Sequence, residues 1–108
     1  MRDKTFKVRK YLTKSGKLDS LSQNLIFQLI PENECEIPYS YTLFLEKLGG
    51  YIVVYPNLRL GQAMYMLLDA IDSDFNDYIC GHQADPFWND FNIPEYVILA
   101  FKRGIFKF

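Results

Sequence analysis

The sequence contains 108 residues, 49% of them hydrophobic and 23% charged, and this balance is typical of a folded globular chain rather than a disordered or fibrous one. Its formal net charge of −1 argues against a protein that binds nucleic acid over its whole surface. The length predicts a single domain over residues 1–108.

The first predicted element is a strand at residues 5–11, where apolar and basic side chains alternate. It belongs to a basic N-terminal strand or arm, residues 1–17, which carries seven basic residues and one acid. Residues 20–30 predict a short helix that ends at Pro31, and a strand at residues 25–30 is the alternative.

The next helix is predicted to begin at Pro38 or Ser40 and to end at Gly49-Gly50, because glycine accepts the left-handed conformation that often terminates a helix. Residues 51–55 are β-branched and aromatic, which predicts a strand.

A longer helix is predicted over residues 58–71, with one apolar face formed by Leu60, Met64, Leu67, Leu68 and Ile71. Asp72 or Ser73 is expected to cap a shorter helix, which Gly81 terminates.

The last predicted helix begins after Asp90 or Asn92, has Pro94 near its start and stops at Gly104. Residues 105–108 then predict a terminal edge strand. Together these elements predict an α+β fold, a helix-rich single domain with about four short helices and a small antiparallel sheet of two to three strands.

The charges are unevenly distributed along the chain. Residues 48–95 contain seven acids and, as their only basic residue, Arg59. Either the basic ends pack over this acidic middle and neutralise it, or the ends bind nucleic acid and the middle binds a basic partner. Residues 1–7 are charged and no apolar run follows them, so we expect a cytoplasmic protein with no signal peptide and no membrane partner.

Two groups of potential metal ligands lack the features that a site needs. Residues 72–76 begin like a calcium loop, but the glycine and the bidentate glutamate of that loop are missing. Cys80, His82 and Asp85 are close in sequence, yet a structural zinc usually takes four ligands, and Cys35 stands alone. We therefore expect thiols rather than a disulfide, no metal, no cofactor, no catalytic residue and no enzymatic activity.

Aromatic residues make up 17% of the chain, and many lie in the acidic middle: Tyr65, Phe75, Tyr78, Phe87, Trp88 and Phe91. Surfaces that stack nucleic-acid bases interleave aromatic with basic side chains, and this segment is acidic instead. The pattern favours a division of these rings between a hydrophobic core and an adhesive surface for protein.

Residues 59–96 contain Arg-Leu-Gly-Gln, then Gly-His-Gln-Ala-Asp-Pro-Phe-Trp-Asn-Asp, then Ile-Pro-Glu-Tyr. This segment resembles small bacteriophage-encoded proteins that share an R-x-G-Q helix start, then G-x-x-x-D-P-F-aromatic-x-D, then I-P-x-aromatic. Here His82 stands where that pattern often has Thr, and Trp88 where it often has Tyr. The resemblance implies a phage or mobile-element origin and no particular activity.

Most residues of this segment can be explained by a role in the folded structure. Asp85-Pro86 predicts a helix start, because the carboxylate accepts backbone N–H groups and the proline presets the first turn. Arg59 and Gln62 share a helix face and are expected to bond to the Asp85 turn or its carbonyls. The alternative makes the same turn a display surface with Trp88 as its anchor.

The favoured hypothesis is a small non-enzymatic phage-type protein that binds a host protein and inhibits a bacterial nuclease or immune (CRISPR-like) complex, since acidic residues can imitate phosphates in a basic groove. Its predicted partner-binding residues are Asp74, Asp77, Asp85, Phe87, Trp88 and Asp90. The alternative is a nucleic-acid accessory protein that binds through Arg2, Lys4, Lys7, Arg9 and Lys10. A homodimer through the edge of residues 51–55 or 105–108 is a further hypothesis.

Overall fold

The computed structural model describes residues 20–80 and 82–108; the predicted strand at residues 5–11, the basic segment 1–17 and Gly81 lie outside the described residues. The described chain forms five α-helices: α1 (Ser20–Leu29), α2 (Tyr41–Val54), α3 (Leu60–Ile71), α4 (Ser73–Ile79) and α5 (Ile93–Lys102). It also contains strands β1 (Tyr39–Ser40) and β2 (Phe106–Lys107) and two 3-10 turns, Glu32–Glu34 and Asp90–Asn92. No helix in these two ranges combines the length and the apolar character that crossing a membrane requires.

Helix α1 confirms the prediction of a short helix before Pro31, and the alternative strand at residues 25–30 is wrong. Ile26 and Ile30 are fully buried. Residues four apart lie on the same side of a helix, so this spacing turns both side chains toward the core.

Helix α2 begins where the sequence predicts. The Ser40 hydroxyl accepts a hydrogen bond from the Leu43 N–H at 3.2 Å, which is the interaction of an N-cap serine. This bond satisfies one of the backbone donors that the first turn of a helix leaves unpaired.

Helix α2 does not end where the sequence predicts. It continues through Gly49 and Gly50 to Val54, so both the predicted helix end and the predicted strand at residues 51–55 are wrong. Because the helix continues, Tyr51 lies two turns after the buried Phe44, and its side chain is fully buried as well. Glycine disfavours the helical conformation. Burial of the apolar face of α2 stabilises the helix by more than the two glycines destabilise it. The proposed dimer edge at residues 51–55 therefore does not exist as a strand.

Helix α3 lies at the centre of the domain. The predicted helix at residues 58–71 is confirmed as Leu60–Ile71. The prediction of a single apolar face is too narrow, and Leu60, which was assigned to that face, is 44% exposed. Gly61 and all residues from 63 to 71 are buried, because α1, α2, α4 and the Asp90–Asn92 turn all pack against this helix. A helix that is surrounded by other elements buries side chains on most of its circumference.

The start of α4 confirms the capping prediction. Asp72 Oδ1 accepts hydrogen bonds from the backbone N–H groups of Asp74 at 3.0 Å and Phe75 at 3.2 Å. The end of α5 also follows the prediction, since Gly104 adopts a φ of 76°, the left-handed conformation that glycine tolerates best. Pro94 lies in the first turn of α5, as expected.

The two strands form a parallel pair, so the predicted antiparallel sheet is wrong. Tyr39 is in register with Phe106 and Ser40 with Lys107, and the Tyr39 N–H donates to the Ile105 carbonyl at 2.7 Å. The predicted terminal strand at residues 105–108 is confirmed as β2. Four helices lie between the two strands in the sequence. Such a long helical connection allows the second strand to run parallel to the first, whereas strands joined by a short turn are antiparallel.

One hydrophobic core includes residues from all five helices and both strands of the described chain. Aromatic rings join its C-terminal part, with centroids 4.9 Å apart for Phe44 and Phe106 and 5.3 Å apart for Tyr41 and Phe101. The predicted helix-rich α+β class is therefore confirmed.

Candidate functional site

The first two motifs of residues 59–96 meet in space at the start of α3. The Arg59 guanidinium donates through Nη1 to Asp90 Oδ1 at 3.1 Å and through Nη2 to the Phe87 carbonyl oxygen. The Gly61 N–H donates to the same Asp90 Oδ1 at 3.0 Å. These bonds confirm that Arg59 binds a carbonyl of the turn, and they identify Asp90, rather than Asp85, as the carboxylate that it pairs with.

Gly61 allows this close approach because it has no side chain. A Cβ built at this position would overlap the Pro86 carbonyl oxygen and lie 2.8 Å from Asp90 Oδ1. Any larger residue must therefore push the turn away from α3, which explains the glycine of the R-x-G-Q motif physically.

Asp85-Pro86 begins a turn and not a helix, so the predicted helix start is wrong. Asp85 Oδ1 accepts from the Phe87 N–H at 2.9 Å, and the Asp85 carbonyl accepts from Asn92 Nδ2 at 2.8 Å. The first bond forms an Asx turn, in which the side-chain oxygen of an Asp or Asn accepts from the backbone N–H two residues later, as a backbone carbonyl does in an ordinary turn. The second bond uses Asn92 Nδ2, and the Asn92 side chain forms no capping hydrogen bond at the start of α5.

Phe87 anchors the turn in the core. Its side chain is 1% exposed, and its ring meets the Tyr65 ring edge to face at 5.6 Å between centroids. The Phe87 ring also contacts the Trp88 ring, with centroids 4.8 Å apart and the two planes nearly perpendicular. Phe87 thus connects Trp88 to α3 through ring contacts, and the Trp88 side chain remains 57% exposed.

Beyond Phe87 the turn presents an exposed surface. Phe91 is 92% exposed, and the Asn89 side chain positions it by accepting from its N–H at 3.0 Å. An open depression of about 480 Å³ is lined by Arg59, Trp88, Asn89, Asp90 and Phe91. We call these five residues the 88–91 surface.

A buried polar network lies beneath this region, and the sequence analysis did not identify it. The Tyr65 hydroxyl donates to the Asn76 carbonyl at 2.9 Å, and Asn76 Nδ2 donates back to the Tyr65 carbonyl at 2.8 Å. The Tyr96 hydroxyl donates to Asn76 Oδ1 at 2.7 Å, and Asn76 Nδ2 also lies 3.3 Å from Asp69 Oδ1. All four residues are buried, so the network joins α3, α4 and α5 through their polar groups.

This network assigns a structural role to the last aromatic residue of the motif, Tyr96. The sequence signal is limited to Asp69, a polar residue in the otherwise apolar run 63–71, and such a residue is equally compatible with a solvent-facing position. Asn76 gives no signal, because α4 also contains Ser73, Asp74 and Asp77.

The structure separates the six predicted partner-binding residues into three pairs. Asp85 and Phe87 are buried and hold the turn together, with exposures of 3% and 1%. Trp88 and Asp90 lie on the 88–91 surface. Asp74 and Asp77 are exposed on a different element, α4. A docking partner has direct access to four of the six. The alternative nucleic-acid residues, Arg2, Lys4, Lys7, Arg9 and Lys10, lie outside the described residues.

The aromatic residues of the acidic middle divide as predicted between the core and the surface. Tyr65, Phe75 and Phe87 are at most 4% exposed, whereas Tyr78 is 48% exposed and Trp88 and Phe91 are exposed further still. Tyr78 carries the Arg103 guanidinium over its ring at 3.9 Å, a cation–π contact.

Two of the residues considered above as metal ligands, His82 and Cys35, make other contacts in the structure. His82 Nδ1 accepts from the Ala84 N–H at 3.1 Å, and its ring stacks on Tyr78. The Cys35 thiol lies 3.3 Å from the Ala70 carbonyl oxygen, and Cys80 is exposed. Among residues 20–80 and 82–108, no three His, Cys, Asp or Glu side chains form a group that could hold a metal ion.

Comparison of the chain with protein-family models, with curated proteins and with solved structures finds no match. The resemblance of residues 59–96 to phage-encoded proteins therefore stays a prediction.

Proposed function

We propose that this chain is a small non-enzymatic protein of bacteriophage type that binds a basic host protein in the cytoplasm through its 88–91 surface. The exposure of Phe91 and Trp88 beside the Asp90 carboxylate carries this proposal. Aromatic side chains are enriched in protein–protein interfaces, and tryptophan is among the residues that contribute most to their binding energy.

The charge of the surroundings favours a basic partner. Between Lys47 and Lys102 the sequence contains seven acids and one base, Arg59, and the structure uses Arg59 to hold the turn. Asp74 and Asp77 on α4 and Glu95 on α5 are exposed. A partner with a basic groove, such as a nuclease or a nucleic-acid-guided immune complex, offers the complementary potential, and inhibition follows if these carboxylates occupy the place of phosphates.

Binding to the host protein is tested in two stages. The tagged protein is used to capture partners from a bacterial lysate that has been treated to remove nucleic acid, and the captured protein is then purified for affinity measurement. We expect Trp88→Ala and Phe91→Ala each to weaken binding by at least tenfold, on the order of the loss of a hot-spot residue.

Phe108→Ala is the matched control, because Phe108 is 93% exposed and follows β2, away from the turn in sequence. Its affinity should equal that of the parent protein. Absence of any stoichiometric partner, or equal loss of binding in Phe108→Ala and Phe91→Ala, would contradict the proposal.

The second candidate, a nucleic-acid accessory role, depends on the net charge of +6 in residues 1–17, from seven basic residues and one acid. It predicts DNA or RNA binding that weakens steeply with salt and is lost when residues 1–17 are removed. Binding that survives this truncation would exclude the segment as the nucleic-acid site.

A further inference from the structure

The segment that leads from α4 to the 88–91 surface repeats one type of turn. A side chain accepts from the backbone N–H two residues later at three positions, His82, Asp85 and Asn89. In the first of these turns, His82 Nδ1 accepts from the Ala84 N–H at 3.1 Å. Of the three kinds of side chain, only histidine ordinarily changes its charge between about pH 5 and pH 8. The first turn therefore differs from the other two in its response to acid.

The bond to Ala84 requires a neutral imidazole. A neutral imidazole has one N–H and one nitrogen with a free lone pair, and His82 Nδ1 has to be the latter in order to accept. A proton from the solvent binds to that same lone pair, so Nδ1 becomes a donor and two N–H groups point at each other. The imidazole is partly exposed, which gives the proton access to it.

The Ala84 N–H has no other acceptor in the part of the chain that the structure describes. Ala84 is fully buried, so water does not reach this N–H while the turn is closed. A buried donor without a partner costs more free energy than a typical hydrogen bond contributes. Once Nδ1 is protonated, the turn therefore has to open to let water solvate the Ala84 N–H.

The charges around the imidazole do not compensate a proton on it. The His82 ring stacks on the Tyr78 ring, with centroids 5.7 Å apart, and the Arg103 guanidinium lies over the same Tyr78 ring at 3.9 Å. No carboxylate of the described chain forms an ion pair with the imidazole, and the Asp85 carboxylate is used by the next turn. A protonated His82 would thus share one ring with a group of the same charge. The other titratable side chains at this end of α4, both exposed, are Asp77 and Cys80.

We infer that His82 is a pH-sensitive switch of the 82–85 turn, which is closed around the neutral imidazole and opens when a proton binds to Nδ1. The His82 carbonyl also accepts from the Asp85 N–H at 3.0 Å, so this turn positions the first residue of the Asp85–Asp90 segment. Acidification therefore loosens the connection between α4 and the 88–91 surface. The switch operates in the chain by itself and is independent of the proposed function.

NMR spectroscopy of the full-length ¹⁵N-labelled chain tests the switch. His82 is the only histidine of the sequence, so its ring C–H resonances report its protonation without ambiguity. Hydrogen exchange of the Ala84 N–H, corrected for the intrinsic effect of pH on exchange, is measured between about pH 8 and pH 5. We expect the protection of the Ala84 N–H to fall by about tenfold as the ring takes up its proton, the usual effect of losing a buried hydrogen bond.

His82→Asn is the matched control. The δ1 oxygen of asparagine occupies the same place in the side chain as the δ1 nitrogen of histidine, and Asn89 shows that it accepts from the N–H two residues later. Since an asparagine does not titrate, the protection of the Ala84 N–H in this variant should change by less than about twofold over the same pH range. His82→Phe keeps a ring beside Tyr78 but offers no acceptor, so the protection should be low at every pH.

Constant protection of the Ala84 N–H in the parent chain from neutral to acidic pH would overturn the inference. An equal loss of protection in the parent and in His82→Asn would also overturn it, because the loss would then belong to another group. High protection in His82→Phe would show that the Ala84 N–H does not depend on the imidazole.

Discussion

The Gly61 N–H donates to Asp90 Oδ1 at 3.0 Å, and this bond joins the start of the central helix to the turn that precedes α5. The Arg59 guanidinium reinforces it by bonding to the same oxygen and to the Phe87 carbonyl. Residues from two motifs, at least 28 positions apart in the sequence, are thus bonded into one structural unit, and the rings of Trp88 and Phe91 in this unit are exposed.

Gly61→Ala should destabilise the protein by at least about 2 kcal/mol, because the added methyl group overlaps the Pro86 carbonyl and the backbone has to move. Gly49→Ala is the matched control. A Cβ at Gly49 meets nothing within 4 Å, and alanine favours the helix by about 1 kcal/mol, so this variant should be more stable than the parent. Urea unfolding measures both, and equal effects of the two substitutions would refute the close contact.

Asp90→Ala should lower the free energy of unfolding by about 1–2 kcal/mol, since both Gly61 and Arg59 lose their acceptor. Asp90→Asn should lose less than half of that amount, because its amide oxygen still accepts from the Gly61 N–H. Thermal unfolding of the two variants provides the comparison. An asparagine variant as unstable as the alanine variant would show that charge, and not the hydrogen bond, holds the turn.

Asn76→Ala should cost at least about 3 kcal/mol, because it removes the buried acceptor of the Tyr96 hydroxyl and the buried donor to the Tyr65 carbonyl. Asn57→Ala is the control, since Asn57 is exposed between α2 and α3 and its loss should stay within about 0.5 kcal/mol. Chemical denaturation distinguishes the two. A small loss at Asn76 would mean that the network adds little to stability.

Tyr39→Phe should leave stability unchanged or raise it by up to about 1 kcal/mol. The Tyr39 side chain is 3% exposed, and its hydroxyl has no hydrogen-bond partner among the described residues, so its removal relieves a desolvation penalty. Tyr41→Phe, at a less buried ring in the same region, should have a smaller effect. A clear loss of stability in Tyr39→Phe alone would show that the hydroxyl does form a stabilising bond.

Burial raises the pKa of Tyr39 above its ordinary value of 10.0, with smaller contributions from Cys35 and Glu34, and burial also raises the pKa of Tyr41. The unfolded chain therefore releases these protons at lower pH than the folded chain. The stabilisation from the neutral tyrosines is complete below pH 10 and is lost as the pH rises through their folded pKa values. Urea unfolding at increasing alkaline pH should show this loss, and Tyr39→Phe should reduce its steepness; a slope unaffected by this variant would assign the loss to other groups.

The local elements were largely predictable because their signals are local. Pro31 after α1, Ser40 before α2, Asp72 before α4 and Gly104 after α5 all act within one turn of chain, and each marks a real boundary. The split of the aromatic residues between core and surface also followed from the composition of the segment.

The errors arose where distant contacts outweigh local preference. Gly49-Gly50 indicates a helix end and residues 51–55 favour a strand, yet burial of Tyr51 against the core extends the helix through both. The direction of the β1–β2 pair depends on the path of four intervening helices, which no pattern near either strand encodes.

By itself, the sequence determined the helix-rich α+β class, most helix boundaries and the concentration of acids and rings in its middle. Only the tertiary structure decided which residues of the Asp85–Asp90 segment hold the fold and which face solvent, because that depends on the approach of Gly61 to Pro86 and Asp90. The turn buries Asp85 and Phe87 to make those contacts, and the geometry that buries them is the one that leaves Trp88, Asp90 and Phe91 accessible to a partner.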